Sequence, residues 1–129
     1  MVARTEKPKD APAAVAVQTL AAVRKAKNDA AANPSHDAYL ELGLQSYRNR
    51  QFQDAISATQ KALEFDPNSA VAYNNLCSAY AELGMWDEAV ATGRKALRIN
   101  PNFELAKNNL NWALREQARA AGSRAPQPR

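Results

Sequence analysis

Two consecutive stretches decide the fold: residues 36–69, HDAYLELGLQSYRNRQFQDAISATQKALEFDPNS, and residues 70–103, AVAYNNLCSAYAELGMWDEAVATGRKALRINPNF. Laid over each other without a gap, they agree at Ala38/Ala72, Tyr39/Tyr73, Leu42/Leu76, Ala55/Ala89, Lys61/Lys95, Ala62/Ala96, Leu63/Leu97, Pro67/Pro101 and Asn68/Asn102. Phe52/Trp86, Asp54/Glu88, Ile56/Val90 and Phe65/Ile99 keep their chemical character. A third, partial copy begins at Glu104, where Ala106, Asn108, Asn109, Leu110 and Ala113 repeat Ala72, Asn74, Asn75, Leu76 and Ala79. A fixed period of this size means stacked supersecondary units.

Working outward, the punctuation agrees with the period. Pro34, Pro67 and Pro101 each follow an Asn or Asp. Proline lacks a backbone donor and disfavours helix in the residue before it, so each pair ends one helix and admits the next. Inside a copy, Tyr39, Leu42, Gly43 and Ser46, like Tyr73, Leu76, Cys77 and Tyr80, follow the i, i+3, i+4, i+7 spacing of a helix face. Ala55, Ile56, Ala62 and Leu63 trace a second helix, as do Ala89, Val90, Ala96 and Leu97. The short breaks Asn49-Arg50-Gln51 and Leu83-Gly84-Met85 make the two helices of each copy antiparallel neighbours.

Composition supports an all-α chain. Of 129 residues, 28 are alanine, only 4 are glycine and 7% are aromatic. Alanine loses no side-chain freedom in a helix, and aromatic residues are too sparse for a sandwich or barrel. No apolar run approaches the ~18 residues of a membrane span, and the N-terminus has no signal-like apolar core. The expected compartment is therefore the cytoplasm by default. Cys77 stands alone, which excludes an internal disulfide and a cysteine-framed metal site.

The pattern resembles the tetratricopeptide repeat family, whose 34-residue unit carries W-x2-L-G-x2-Y, A-x3-F and P. Copy one reads Tyr39-x2-Leu42-Gly43, Ala55 and Pro67; copy two reads Tyr73-x2-Leu76-Cys77-x2-Tyr80, Ala89 and Pro101. Ser46 replaces the first copy's Tyr, and Thr59 and Gly93 replace the large residue of the second helix. The resemblance implies a solenoid of about six antiparallel helices. Its expected parts are a basic, disordered tail over 1–12, an N-terminal helix over 13–32, repeats over 36–69 and 70–103, a capping helix over 104–120, and a disordered tail over 121–129. Gly43 and Cys77 are the small residues where paired helices approach closely, facing Ala55 and Ala89. Lys107 and Asn111 give the last helix a polar outer face, as a cap requires.

In this family the first helices of successive repeats line a concave groove that holds a peptide. The resemblance places Leu40, Glu41 and Leu44 there from copy one, Asn74, Asn75 and Ser78 from copy two, and Asn108, Asn109 and Trp112 from the last helix. Asn75 and Asn109 recur one repeat apart, and an amide can both donate to and accept from a peptide backbone. This is similar to the asparagine ladder of O-linked N-acetylglucosamine transferases, with Glu41 breaking it in copy one. The competing reading has these amides linking neighbouring helices. Leu40, Leu44, Val71, Leu105 and Trp112 form an apolar companion patch of the kind that marks a binding surface. Trp112 is expected to be partly exposed, pointing along the groove rather than into the second copy's core. The family's carboxylate clamp is not expected: its five positions hold Leu40, Leu44, Asn75, Leu105 and Asn109, of which one matches.

Catalysis has no support in the chain. His36 lacks a partner constellation, Cys77 is a buried structural thiol, and Asp87-Glu88 suit a helix N-terminus. No cofactor or metal is expected, and no Gly-rich phosphate loop appears. The sequence therefore describes a non-catalytic scaffold for a protein or peptide partner. Charge supplies the alternative. Residues 1–35 and 102–129 each carry a net +3, while residues 36–101 carry −2. Such flanks could attract an anionic partner or nucleic acid, although no stretch has a dense basic footprint. Self-assembly through the groove and the repeat ends is the third reading.

Overall fold

A computed structural model describes residues 16–123, with side chains from Leu20 onward. The expected tail at 1–12, residues 124–129 of the expected tail at 121–129, and the start of the first helix lie outside the described residues. Among the described residues there are six helices and no strand: α1 (Ala16–Ala32), α2 (His36–Arg48), α3 (Phe52–Phe65), α4 (Ala70–Glu82), α5 (Trp86–Ile99) and α6 (Glu104–Ser123). The last helix runs three residues past its expected end at Ala120. Ala121 favours helix, and the Ser123 hydroxyl donates to the Arg119 carbonyl at 3.1 Å within the final turn.

The helix ends follow from local chemistry. Asp66 and Asn100, the residues before proline, are extended at φ −138° and −132°. Their side-chain oxygens accept from the Asn68 and Asn102 amides at 3.0 and 3.2 Å, closing matching turns. Ser35 and Ser69 cap α2 and α4, accepting from the amides of Ala38 and Ala72 at 3.0 and 3.1 Å. Serine just before each helical stripe was a readable signal for these starts. Within each hairpin one residue takes the left-handed conformation, Arg50 at φ 62° and Gly84 at φ 72°.

Helices α2 and α3 pair as one hairpin, α4 and α5 as the next. Hairpin stacks on hairpin through α3 against α4, and the first helices α2, α4 and α6 run side by side. Helix α1 packs on α2 as α3 packs on α4, so it acts as the second helix of a preceding repeat. The seams are built of small residues: Ala62, Ala72, Cys77, Ala89, Ala96, Ala106 and Ala113 have no exposed surface. Their smallness lets backbones approach closely, while Ile56, Leu76, Val90 and Leu110 each contribute about 1.5–3 kcal/mol by burial.

The two hairpins solve their closest approach in opposite ways. At Gly43 an added Cβ would fall on Thr59 Oγ1 and within 3.3 Å of the Ala55 carbonyl oxygen. In the second hairpin the bulk is on α4 and the gap on α5. A Cβ at Gly93 would meet Cys77 Sγ at 3.1 Å and Leu110 Cβ at 3.2 Å. Thr59 and Gly93 therefore complement Gly43 and Cys77. Burial pushes the Cys77 thiol up to about 12, against a smaller opposing hydrogen bond from the Gly93 backbone.

Candidate functional site

The register places Leu44 and Tyr47 on α2, Asn74, Asn75 and Ser78 on α4, and Leu105 and Asn109 on α6 along one side of the solenoid. Together with Gly43, Ala55 and Thr59 they line a concave pocket of about 200 Å³. Five of the nine residues expected to bind a peptide share this pocket: Leu44, Asn74, Asn75, Ser78 and Asn109. Leu40 is half-buried on α2, and Asn108 is exposed on α6. Glu41 is exposed and accepts from Gln45 Nε2 at 2.6 Å along its own helix. Tyr47 at the edge donates to Glu82 Oε1 at 3.3 Å, tying α2 to α4.

The asparagines divide into two kinds. Asn74 and Asn109 are buried, and Asn109 Nδ2 donates both to Asn74 Oδ1 at 2.9 Å and to Ser78 Oγ at 3.0 Å. Ser78 in turn donates to the Asn74 carbonyl at 3.2 Å. These three residues knit α6 to α4 at the groove floor, while Asn109 Oδ1 stays buried without a partner. Asn75, one residue and about 100° further round α4, keeps a half-buried side chain in the pocket. Asn75 and Asn109 are thus not equivalent rungs of one ladder.

Apolar surface is left open beside that floor. Leu105 is 52% exposed and Val71 45%, on neighbouring first helices. Trp112 is half-buried, but it does not run along the groove. It packs edge-on against Trp86, ring centres 5.6 Å apart and planes at 83°, on the core cluster of Cys77, Ala81, Ala89, Val90, Leu110 and Ala113. The edge-to-face pair hides part of both indoles, which an aromatic pair favours over leaving them wet. The Gln117 amide donates to Asp87 Oδ1 at 2.8 Å and fixes the same end of α6 to α5.

His36 has a structural place that the repeat register alone did not reveal. Its ring nitrogens lie 2.8 Å from Asp37 Oδ1 and 2.8 Å from Ser69 Oγ. With Nδ1–H donating to Asp37 and the Ser69 hydroxyl donating to Nε2, the ring braces the residue that caps α4. Among the described residues no three His, Cys, Asp or Glu side chains are grouped to hold a metal ion. No helix among them is long and apolar enough to cross a membrane. Arg4, Lys7, Lys9, Arg124 and Arg129 of the basic flanks lie outside the described residues.

Comparison with known proteins agrees with this architecture. A family model described as tetratricopeptide repeat matches residues 46–122. Two crystal structures of MamA superpose with a TM-score of 0.63 each. One is 24% identical, covering 81% of this chain and 71% of its own; the other is 22% identical, covering 86% and 70%. Likeness at that identity establishes the fold. No curated protein matches the chain.

Proposed function

The chain belongs to the tetratricopeptide repeat family, and from that premise we propose that it is a non-catalytic scaffold holding an extended peptide segment of a partner protein. The observation that carries this reading is the concave pocket walled by Leu44, Asn75 and Leu105, with Leu105 and Val71 left half open to water beside it. An apolar patch rimmed by polar groups is what a peptide covers on binding.

In this reading Leu40, Leu44, Val71 and Leu105 receive apolar side chains of the peptide. Asn75 satisfies one backbone group of the peptide as donor, acceptor or both, without reading its sequence. Asn74, Ser78 and Asn109 hold α4 and α6 at the spacing that keeps the pocket open. Glu41 and Asn108 share the register and complete the proposed surface, whereas Trp112 is left to the second repeat's core.

Selection of peptides from a displayed library tests it. Peptides retained by the natural chain should bind Leu105→Glu or Val71→Glu at least ~10-fold more weakly, the loss of about 1.4 kcal/mol from one apolar anchor. Asn75→Ala should weaken them about five-fold, the worth of one hydrogen bond. Unchanged affinity in all three variants removes the groove from the account.

A further inference from the structure

A second cleft, away from the groove, lies where α1 meets the first hairpin. It measures about 380 Å³ and is walled by Val23, Ala30 and Ala31 of α1, Tyr39, Leu42 and Ser46 of α2, and Ala58 of α3. Its residues on α2 are Tyr39, Leu42 and Ser46, whereas the groove uses Gly43, Leu44 and Tyr47, roughly a third of a turn away. The cleft follows from the repeat itself. One period later, Ser46 becomes Tyr80 and Ala31 becomes Phe65.

Tyr80 shows what such a space takes. Its ring packs against both core clusters, and its hydroxyl is reached by Gln60 Nε2 of α3 at 3.4 Å. At the equivalent place in the first repeat Ser46 is 1% exposed, lines the cleft, and has a buried hydroxyl oxygen without a hydrogen-bond partner. An unmet buried hydroxyl beside an apolar wall is a costly arrangement that a ligand hydroxyl would relieve. The rim adds charge. Lys27 and Lys61 stand there against Asp54, a net positive edge, with Lys61 Nζ 5.6 Å above the centre of the Tyr39 ring.

We infer that this cleft is a second binding site, which takes a tyrosine side chain of a partner segment with a carboxylate beside it. The phenol ring fills the place that Tyr80 fills in the next repeat, its hydroxyl pairs with Ser46 Oγ, and the carboxylate meets the lysine rim. A site of this kind would give the scaffold a second contact outside the groove, so a two-point ligand would gain from effective concentration.

The experiment is a titration of the full chain with p-hydroxyphenylpropionate, followed by amide and methyl NMR. Saturable shifts are expected at Val23, Ser46 and Ala58, with a dissociation constant on the order of 1 mM for so small a probe. Tyramine, cationic instead of anionic, should bind more weakly, and added salt should narrow the difference. Ser46→Ala nearly keeps the volume and removes the hydroxyl, and should cost about five-fold. Ser46→Tyr fills the cleft and should abolish the shifts. Absence of saturable shifts at these residues in the natural chain overturns the proposal. So does equal affinity of the natural chain and Ser46→Ala. Contacts from Ser46 or Ala58 to residues 1–15 before any probe is added also overturn it, since the occupant would then be the chain's own segment.

Discussion

Tyr80 and Ser46 stand at the same turn of the first helix in successive repeats, yet the interfaces they serve are different. Around Tyr80, α3, α4 and α5 close on two clusters of buried residues that share this one ring. Around Ser46, α1 packs on α2 and faces α3 only across the cleft, and neither cluster includes a described residue of α1. The period fixes where helices lie; the side-chain volume at one position decides whether the seam between them is sealed. A solenoid gains stability from such nearest-neighbour seams, so its N-terminal end should be the softer one.

The strongest way to break this contrast is to carry the first seam into the second. Tyr80→Ser should lower stability by about 3–5 kcal/mol in chemical denaturation, as removal of a core aromatic does. A loss below about 1 kcal/mol would mean that Tyr80 seals nothing. Next in size is Gly43→Ala, whose Cβ would press on Thr59. It should cost about 2 kcal/mol, and Thr59→Gly placed in the same chain should recover most of that by adopting the second hairpin's arrangement. Additive losses in the double variant would refute the complementarity of the two hairpins.

Cys77 gives a pH test of the sealed side. Its thiol ionises near 12 when folded, while an unfolded thiol ionises near 9. Below the unfolded value both states are protonated and pH has no effect through this group. Above it the unfolded chain releases a proton that the folded chain keeps, so stability falls by about 1.4 kcal/mol per pH unit until the folded value is reached. The difference between the natural chain and Cys77→Ala, measured by denaturant midpoint from pH 8 upward, isolates this contribution. A difference that stays constant would contradict the burial of the thiol.

The smallest contrast is between two amides one repeat apart. Asn109→Ala removes the donor to Asn74 and Ser78 and should cost about 1 kcal/mol or more. Asn75→Ala should stay within about 0.5 kcal/mol, because its side chain joins no such network. Equal losses would erase the division of the groove into floor and contact surface.

Much of this architecture was legible in the chain. The spacing of Pro34, Pro67 and Pro101 set the helix ends, and the small residues Gly43, Cys77, Ala55 and Ala89 marked the close approaches. Helix periodicity names a face but not a depth. It therefore did not separate Asn109, sunk between α4 and α6, from Asn75, which lines the open pocket. Register alone places Trp112 in the groove, but contact with Trp86 turns it onto the second repeat. The trade between Gly43/Thr59 and Cys77/Gly93 is a property of pairs, invisible while each position is compared only with a family pattern. The His36–Ser69 link joins residues 33 apart through a cap that periodicity does not report.

In the proposed function the concave side of α2, α4 and α6 is the peptide-binding surface. Amide and methyl NMR of the full chain with a display-selected peptide tests it most directly. Saturable shifts are expected at Leu44, Asn75 and Leu105, with loss of affinity in Leu105→Glu. Shifts confined to α3 and α5, or to the cleft at Ser46, with the groove residues unmoved, would contradict it.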